Sequence, residues 1–105
     1  MRLVIIESPY AGDVAANVEY ARRCVADSLA RGEAPYASHL IYTQPGILDD
    51  TIADERDQGI AAGFAWAAVA DVRAVYMDLG MSAGMVMGVE DARRLGQRVE
   101  RRMID

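Results

Sequence analysis

The chain is poor in the residues that mark several large protein classes. It has one cysteine, Cys24, in 105 residues, so an internal disulfide is excluded. Cys24 lies among apolar and small residues of a helical stretch with nothing nearby to activate it, and it reads as a buried, inert thiol. The single histidine, His39, lacks companions at metal-ligand spacing, so no metal and no cofactor is expected. Positive charge is also short: 11 basic against 16 acidic residues leave a net charge of −5, which argues against a nucleic-acid backbone as partner. No apolar run approaches the ~20 residues that cross a bilayer, so no membrane partner is expected. The apolar stretch within residues 1–6 is too short for a secretory signal core. The expected setting is the reducing cytoplasm.

What is present suits one globular domain over residues 1–105, with 52% hydrophobic and 26% charged residues. A chain this size buries roughly 65% of its unfolded surface, so its stability as a monomer would be modest. Leu3–Ile6 is a short β-branched run of the kind covered on both faces in a parallel sheet. A turn-rich stretch from Glu7 to Asp13 follows, and Asp13 is placed to cap a helix. Val14, Val18, Ala21, Val25 and Leu29 form its apolar stripe, and Gly32 is its expected stop.

Residues 34–38 read as a second strand and 39–50 as a polar loop. Thr51 is a fitting cap for a long helix over 52–70, with Asp54 and Glu55 in its first turn. From Gly59 to Ala70 that helix is apolar on all sides, which predicts burial on more than one face and a homo-oligomer formed through residues 60–70. Residues 72–77 read as a third strand. Ser82 caps a last helix that Gly96 ends, and residues 97–103 read as a final strand.

The order β-α-β-α-β-α-β implies an α/β fold: a small doubly wound parallel sheet of about four strands, flavodoxin- or Rossmann-like, in three layers. Ligands of such sheets bind beyond the carboxyl ends of the strands. Residues 8–13, 38–50 and 78–85 should meet there.

Each of these stretches has a ligand reading and a plainer one. Ser8, Tyr10 and Gly12 lie between a strand and a helix start, where N–H groups and a hydroxyl suit phosphate; an ordinary capped turn explains them too. Ser82, Gly84 and Met85 open the last helix in the same way, and Gly84 would let a ligand approach the backbone. His39 reads as a loop hydrogen-bonder or a substrate contact; as a general base it would need a positioned partner. Asp78, at the end of strand three, could reach ribose hydroxyls. The acidic run at Asp49, Asp50, Asp54, Glu55 and Asp57 reads as a solvated helix start or as a cradle for magnesium or sugar hydroxyls. Met77, Met81, Met85 and Met87 fill a core or wall a flat base. Arg93, Arg94, Arg98, Arg101 and Arg102 form a basic C-terminal cluster, read as a solvated end or as an anion or subunit contact.

Ser8-Pro9-Tyr10, Gly12-Asp13 and Asn17, Ser38-His39, Glu55-Arg56 with Gly59, and Ser82-Ala83-Gly84-Met85 together resemble the nucleoside 2-deoxyribosyltransferase-like superfamily. The likeness is to its small standalone members, of a kind often encoded by bacteriophages and their hosts. That family breaks or exchanges the N-glycosidic bond of deoxynucleosides or their 5′-monophosphates. The resemblance implies that Ser8 and the backbone of residues 10–12 sit near phosphate or sugar. It also implies that Ser82 binds phosphate, and that His39 and Asp78 line the pocket. The family's nucleophilic glutamate stands four residues after the glycine matching Gly84, where this chain has Gly88. Glu90 lies about 200° further round the helix and faces away. A second family carboxylate falls at Gly63. Two glycines at these positions imply open space or close packing.

The expectation is therefore a protein that binds a nucleoside 5′-phosphate or a cyclic nucleotide signal without the family's usual catalysis, as a phage sequestering protein would. The alternative is an active N-glycosidic hydrolase or deoxyribosyltransferase in salvage or base modification, with Asp78 or Glu7 as its catalytic group. An interaction module with a vestigial pocket is a third reading.

Overall fold

The computed structural model describes all residues from Met1 to Asp105. In chain order it has β1 (Leu3–Glu7), α1 (Val14–Ala30), β2 (Ala34–Tyr36), α2 (Ser38–Ile41), α3 (Ala53–Ala67), β3 (Val72–Tyr76), α4 (Ala83–Arg94) and β4 (Arg98–Arg102). The strands form one sheet in the order β2-β1-β3-β4, and every pairing is parallel. This is the doubly wound α/β architecture that the alternation of strands and helices implied.

The register decides which side chains meet. Val4 pairs with Val72 and Ile6 with Ala74, so these point to one face; Ile5 pairs with Arg73 and Glu7 with Val75, so these point to the other. On the first face Tyr20 and Cys24 of α1 pack with Val4, Ile6, Val72, Ala74 and Tyr76 to make the main core. On the second face Met85 and Val89 of α4 pack on Val75. The second face also carries two charged side chains, Glu7 and Arg73.

The buried side of α1 is rotated from the expected stripe. Tyr20, Ala21, Cys24 and Ser28 are buried, whereas Val14 and Leu29 are exposed. Polar anchors produce the rotation: the Tyr20 hydroxyl donates to Asp78 and the Ser28 hydroxyl to Glu33. Asp13 caps α1 as its position suggested, accepting from Ala16 N at 3.2 Å. Gly12 before it has φ +102, a conformation that L side chains rarely adopt.

Two further boundaries differ from the sequence reading. The second strand stops at Tyr36, and residues 38–41 form the short helix α2 rather than strand end and loop. Residue 52, not Thr51, stands at the cap position of α3; the Thr51 hydroxyl instead donates to Asp49 at 2.6 Å.

Arg102 departs from the expected solvated or ligand-facing basic cluster. It is buried beneath Tyr76, with Nη1 and Nη2 on the two oxygens of Glu33 at 2.7 and 2.8 Å. Arg2 adds a contact to the same carboxylate at 2.6 Å. The Arg102 guanidinium holds the Glu33 carboxyl down to about 2. A depressed carboxyl stabilises the fold above its ordinary pKa and loses that contribution as pH falls. Glu33→Gln should therefore destabilise the fold in urea unfolding at neutral pH, by less than the ~3–5 kcal/mol of a wholly unpaired buried charge, because Arg102 keeps Glu100 at 2.9 Å and the Tyr76 hydroxyl at 3.2 Å. The deficit should shrink as both proteins are taken from pH 5 toward pH 2.

Candidate functional site

β1 exchanges neighbours at the centre of the sheet: its crossover through α1 goes to β2 on one side, and the chain returns to β3 on the other. The carboxyl ends of β1 and β3 therefore splay over a crevice. A cavity of about 180 Å³ lies there, under α3 and α4. Its floor is Ile5, Glu7 and Arg73 from the sheet. Ser38 and His39 of α2 close one side, and Ser82 to Met85 close another. Ile60, Phe64 and Met87 supply apolar wall. The cavity is smaller than the ~300–1,000 Å³ of drug-sized ligand sites. It opens, through shared walls at Tyr10, Ala11, Thr43, Leu48, Asp50, Glu55 and Arg56, onto a wider depression that includes Gly12 and Gly46.

Glu7 is the most unusual group in the cavity. Its Oε2 is buried and accepts no hydrogen bond. A Cβ built on Gly88 would stand 1.6 Å from that oxygen, so the carboxyl occupies space that any larger residue at 88 would take. Burial pushes the Glu7 carboxyl up to about 7, aided by Asp91 and opposed by Arg73. Arg73 does not neutralise Glu7 because it is committed elsewhere. It is fully buried, donates to the Gly88 carbonyl and to Asp91, and lies 5.6 Å from the Phe64 ring centroid. These bonds tie α4 to β3 and fix Gly88 over Glu7.

Next to Glu7 along the chain, Ser8 is buried with its Oγ 2.7 Å from His39 Nε2. Burial lowers the His39 pKa to about 4, so the ring is neutral near physiological pH. In the tautomer that leaves Nε2 free, the Ser8 hydroxyl donates to it. The loop after Ser8 is pinned by Asn17, whose amide donates to the carbonyls of Tyr10 and Ala11 at 3.0 and 3.1 Å. At the start of α4, Ser82 Oγ accepts from Met85 N at 3.2 Å, and Ser82 N donates to Met85 Sδ at 3.4 Å. The N–H groups of Ala83 and Gly84 lie in the first turn, where the helix offers no internal acceptor. A Cβ on Gly84 would meet nothing nearer than Ser82 Oγ at 3.9 Å, so that helix end is open to a ligand.

Glu7, Ser8, Tyr10, His39, Ser82, Gly84 and Met85 thus converge on one cavity, with Gly12 at the adjoining depression. Asp78 is not among the lining residues. Its carboxylate accepts from the Tyr20 hydroxyl and from the N–H groups of Ile104 and Asp105, so it ties the C-terminal segment to α1 instead of facing the crevice. Gly63 and Gly88 prove to be sites of close packing: a Cβ on Gly63 would stand 2.7 Å from Ser38 Oγ. No three His, Cys, Asp or Glu side chains are grouped to hold a metal ion. Sequence reading passed over Arg73 and Asp91. A charged residue in the middle of a strand covered on both faces was the available signal for Arg73, since such a charge requires a buried partner.

The fold places the chain in a class. It is similar to a 2-deoxyribosyltransferase from the psychrotolerant bacterium Bacillus psychrosaccharolyticus, described as a biocatalyst for the synthesis of antiviral and antitumoral nucleosides. The TM-score is 0.67 at 14% identity, over 96% of this chain and 72% of that one. A 2-deoxyribosyltransferase from Leishmania mexicana gives a TM-score of 0.63 at 13% identity, over 100% of this chain and 66% of that one. At such identities the likeness is one of fold. The chain itself belongs to the DUF7768 family, a domain of unknown function, whose sequence model matches residues 2–102. No curated protein matches it.

A buried carboxyl with a raised pKa gives a signed stability effect. Between about 4.5 and about 7 the folded state holds a proton that the unfolded state has released, so Glu7 costs stability increasingly as pH rises through that window. Glu7→Gln keeps the shape and removes the titration. In urea unfolding, Glu7→Gln should gain on wild type between pH 5 and pH 8; an unchanging difference would place the Glu7 carboxyl in water.

Proposed function

We propose that this protein binds a nucleoside-type ligand, a nucleoside 5′-phosphate or a cyclic nucleotide, in the cavity at the carboxyl edge of the sheet. The observation that carries this reading is the convergence of the Ser8–His39 pair, the open first turn of α4 and an apolar wall in one crevice. Its supports divide along the ligand. A flat ring fits between Phe64, Ile60 and the methionines, whose polarizable side chains adapt to a base. A phosphate fits the N–H groups of Ala83 and Gly84, where the helix dipole favours negative charge. Ring and phosphate both lie in the closed part, and the sugar faces its open side beside Tyr10 and Ala11. The fold shared with 2-deoxyribosyltransferases points to the same ligand class.

In titration calorimetry with a panel of nucleosides, nucleoside 5′-monophosphates and cyclic nucleotides, at least one should bind. Ser8→Ala together with His39→Ala should weaken it about tenfold or more, since each removes a hydrogen bond worth roughly 0.5–1.5 kcal/mol. Equal affinity in the double variant would place the ligand elsewhere.

The apolar helix carries a second proposal. α3 and the turn that follows it leave Trp66 and Val69 exposed, with Ala61, Ala65 and Ala68 exposed beside them. We propose that a second copy of the chain covers this face, since adjoining apolar residues of that size seldom face water in a lone domain. Light scattering at micromolar concentration should give a dimer or larger, and Val69→Glu should give a monomer. A monomeric wild type would overturn the proposal.

A further inference from the structure

Glu7 and Arg73 share the cavity floor, and each leaves one buried atom unsatisfied there. Glu7 Oε2 accepts no hydrogen bond, and Arg73 Nε finds no acceptor. The two do not satisfy each other, because the Arg73 guanidinium is turned to the Gly88 carbonyl and Asp91. Burying an unpaired carboxyl costs free energy, and the buried Ile5 and Val75 show what the same sheet face accepts without that cost. Gly88 is fitted to this carboxyl, since its missing Cβ leaves the space that Oε2 fills. An acceptor and a donor left open on one floor match a ring edge that carries a carbonyl next to N–H groups.

We propose that Glu7 is a specificity-determining residue: seated against Gly88 beside Arg73, its carboxylate takes the two donors of a guanine-type ring edge, the ring N–H and the adjoining amino group. This rests on the nucleoside reading of the cavity and goes beyond it, to which base is bound. The count of donors selects the edge. A carboxylate has two acceptor oxygens and no donor. Guanine offers them two adjoining N–H groups and, next along the same edge, a carbonyl for Arg73 Nε. Hypoxanthine and uracil offer the carbonyl and a single N–H. Adenine and cytosine set a bare ring nitrogen, itself an acceptor, against the carboxylate. Phe64, whose ring centroid is 5.6 Å from the Arg73 guanidinium, walls the place where the edge would meet the floor.

The protonation of Glu7 follows from the groups around it. Arg73 of β3 favours the carboxylate, while burial and Asp91 of α4 oppose it and prevail, raising the carboxyl to about 7. His39 of α2 is neutral. α3 brings Glu55 and Arg56 to the wall shared with the wider depression, so the charge of Arg56, which makes no ion pair, is added at that wall and not at the floor. Two charge-assisted hydrogen bonds from a guanine edge replace the water that the buried carboxylate has lost, so the base binds the ionised form. A carboxyl protonated before binding gives up its proton to solvent as the base enters.

The test is titration calorimetry with guanosine, inosine, adenosine, cytidine, uridine and their 5′-monophosphates. Guanosine and inosine differ only in the 2-amino group, so the ratio of their affinities isolates the second hydrogen bond to Glu7. Wild type should bind the guanine compound at least about tenfold more tightly than its inosine counterpart, and the adenosine and cytidine compounds more weakly still. Glu7→Gln exchanges one acceptor oxygen for an amide NH2, a donor, and should bring the guanosine-to-inosine ratio to within about twofold. A purely structural role for Glu7 would weaken both compounds alike and leave the ratio unchanged. Wild type alone supplies a second measurement, which decides the question if Glu7→Gln does not fold. Guanosine affinity should rise roughly tenfold from pH 6 to pH 8, with a proton released to the buffer at the lower pH. Wild type that binds nucleosides or nucleotides without preferring guanine overturns the role of Glu7 and leaves the binding site standing. A guanine preference that survives in Glu7→Gln overturns it too, as does guanosine binding indifferent to pH over that range. Wild type that binds none of the compounds overturns both readings.

Discussion

The chain crosses from β1 through α1 to β2 on one side of it, then back past β1 through α3 to β3 on the other, and the rest of the molecule depends on that reversal. α1 must lie over one face, and α3 and α4 over the other. The carboxyl ends of β1 and β3 are then left uncovered between two layers of helix. β1 ends in Glu7 and Ser8 follows it, so the strand end becomes the floor of a crevice instead of a turn in solvent. The parallel register sends Glu7 and Arg73 to the same face, and the bonds from Arg73 to α4 set how closely that helix approaches. The cavity, its buried acid and its neutral histidine are consequences of strand order combined with a few polar residues placed at strand ends.

Two buried ion pairs divide the work of holding this arrangement. Arg102 with Glu33 fastens the edge strand β4 across the α1 face, and Arg73 with Asp91 fastens α4 to the central strand on the other. Each satisfies a charge that would be costly to bury alone. Glu7 stands apart because no partner satisfies it.

The fold was legible in the sequence because its signals are local. Short β-branched runs, Asp13 and Ser82 at helix starts, and Gly12 and Gly32 at turns each act within a few residues. Parts of the site were legible for the same reason, since strand ends and helix starts could be assigned to one edge. Residues acting across the fold were harder to place. Asp78 has the position of a ligand contact, yet its oxygens are taken by Tyr20 and the C-terminal backbone, a contact spanning the chain. Ser8 and His39 were each visible, but their 2.7 Å pairing depends on how α2 packs. Gly88 was noticed as a missing carboxylate. What fills the space there, the side chain of Glu7 from another element, could be seen only once α4 was set on the sheet.

The central claim is that the cavity holds a nucleoside-type ligand. Mass spectrometry of the small molecules released by heating freshly purified protein tests it most directly, with Phe64→Asp protein prepared in parallel. The account predicts a nucleoside, a nucleotide or their base and sugar fragments in proportion to wild-type protein, and little from the variant whose cavity wall is charged. Equal amounts from both proteins, or a stoichiometric compound of unrelated chemistry from wild type, would contradict it.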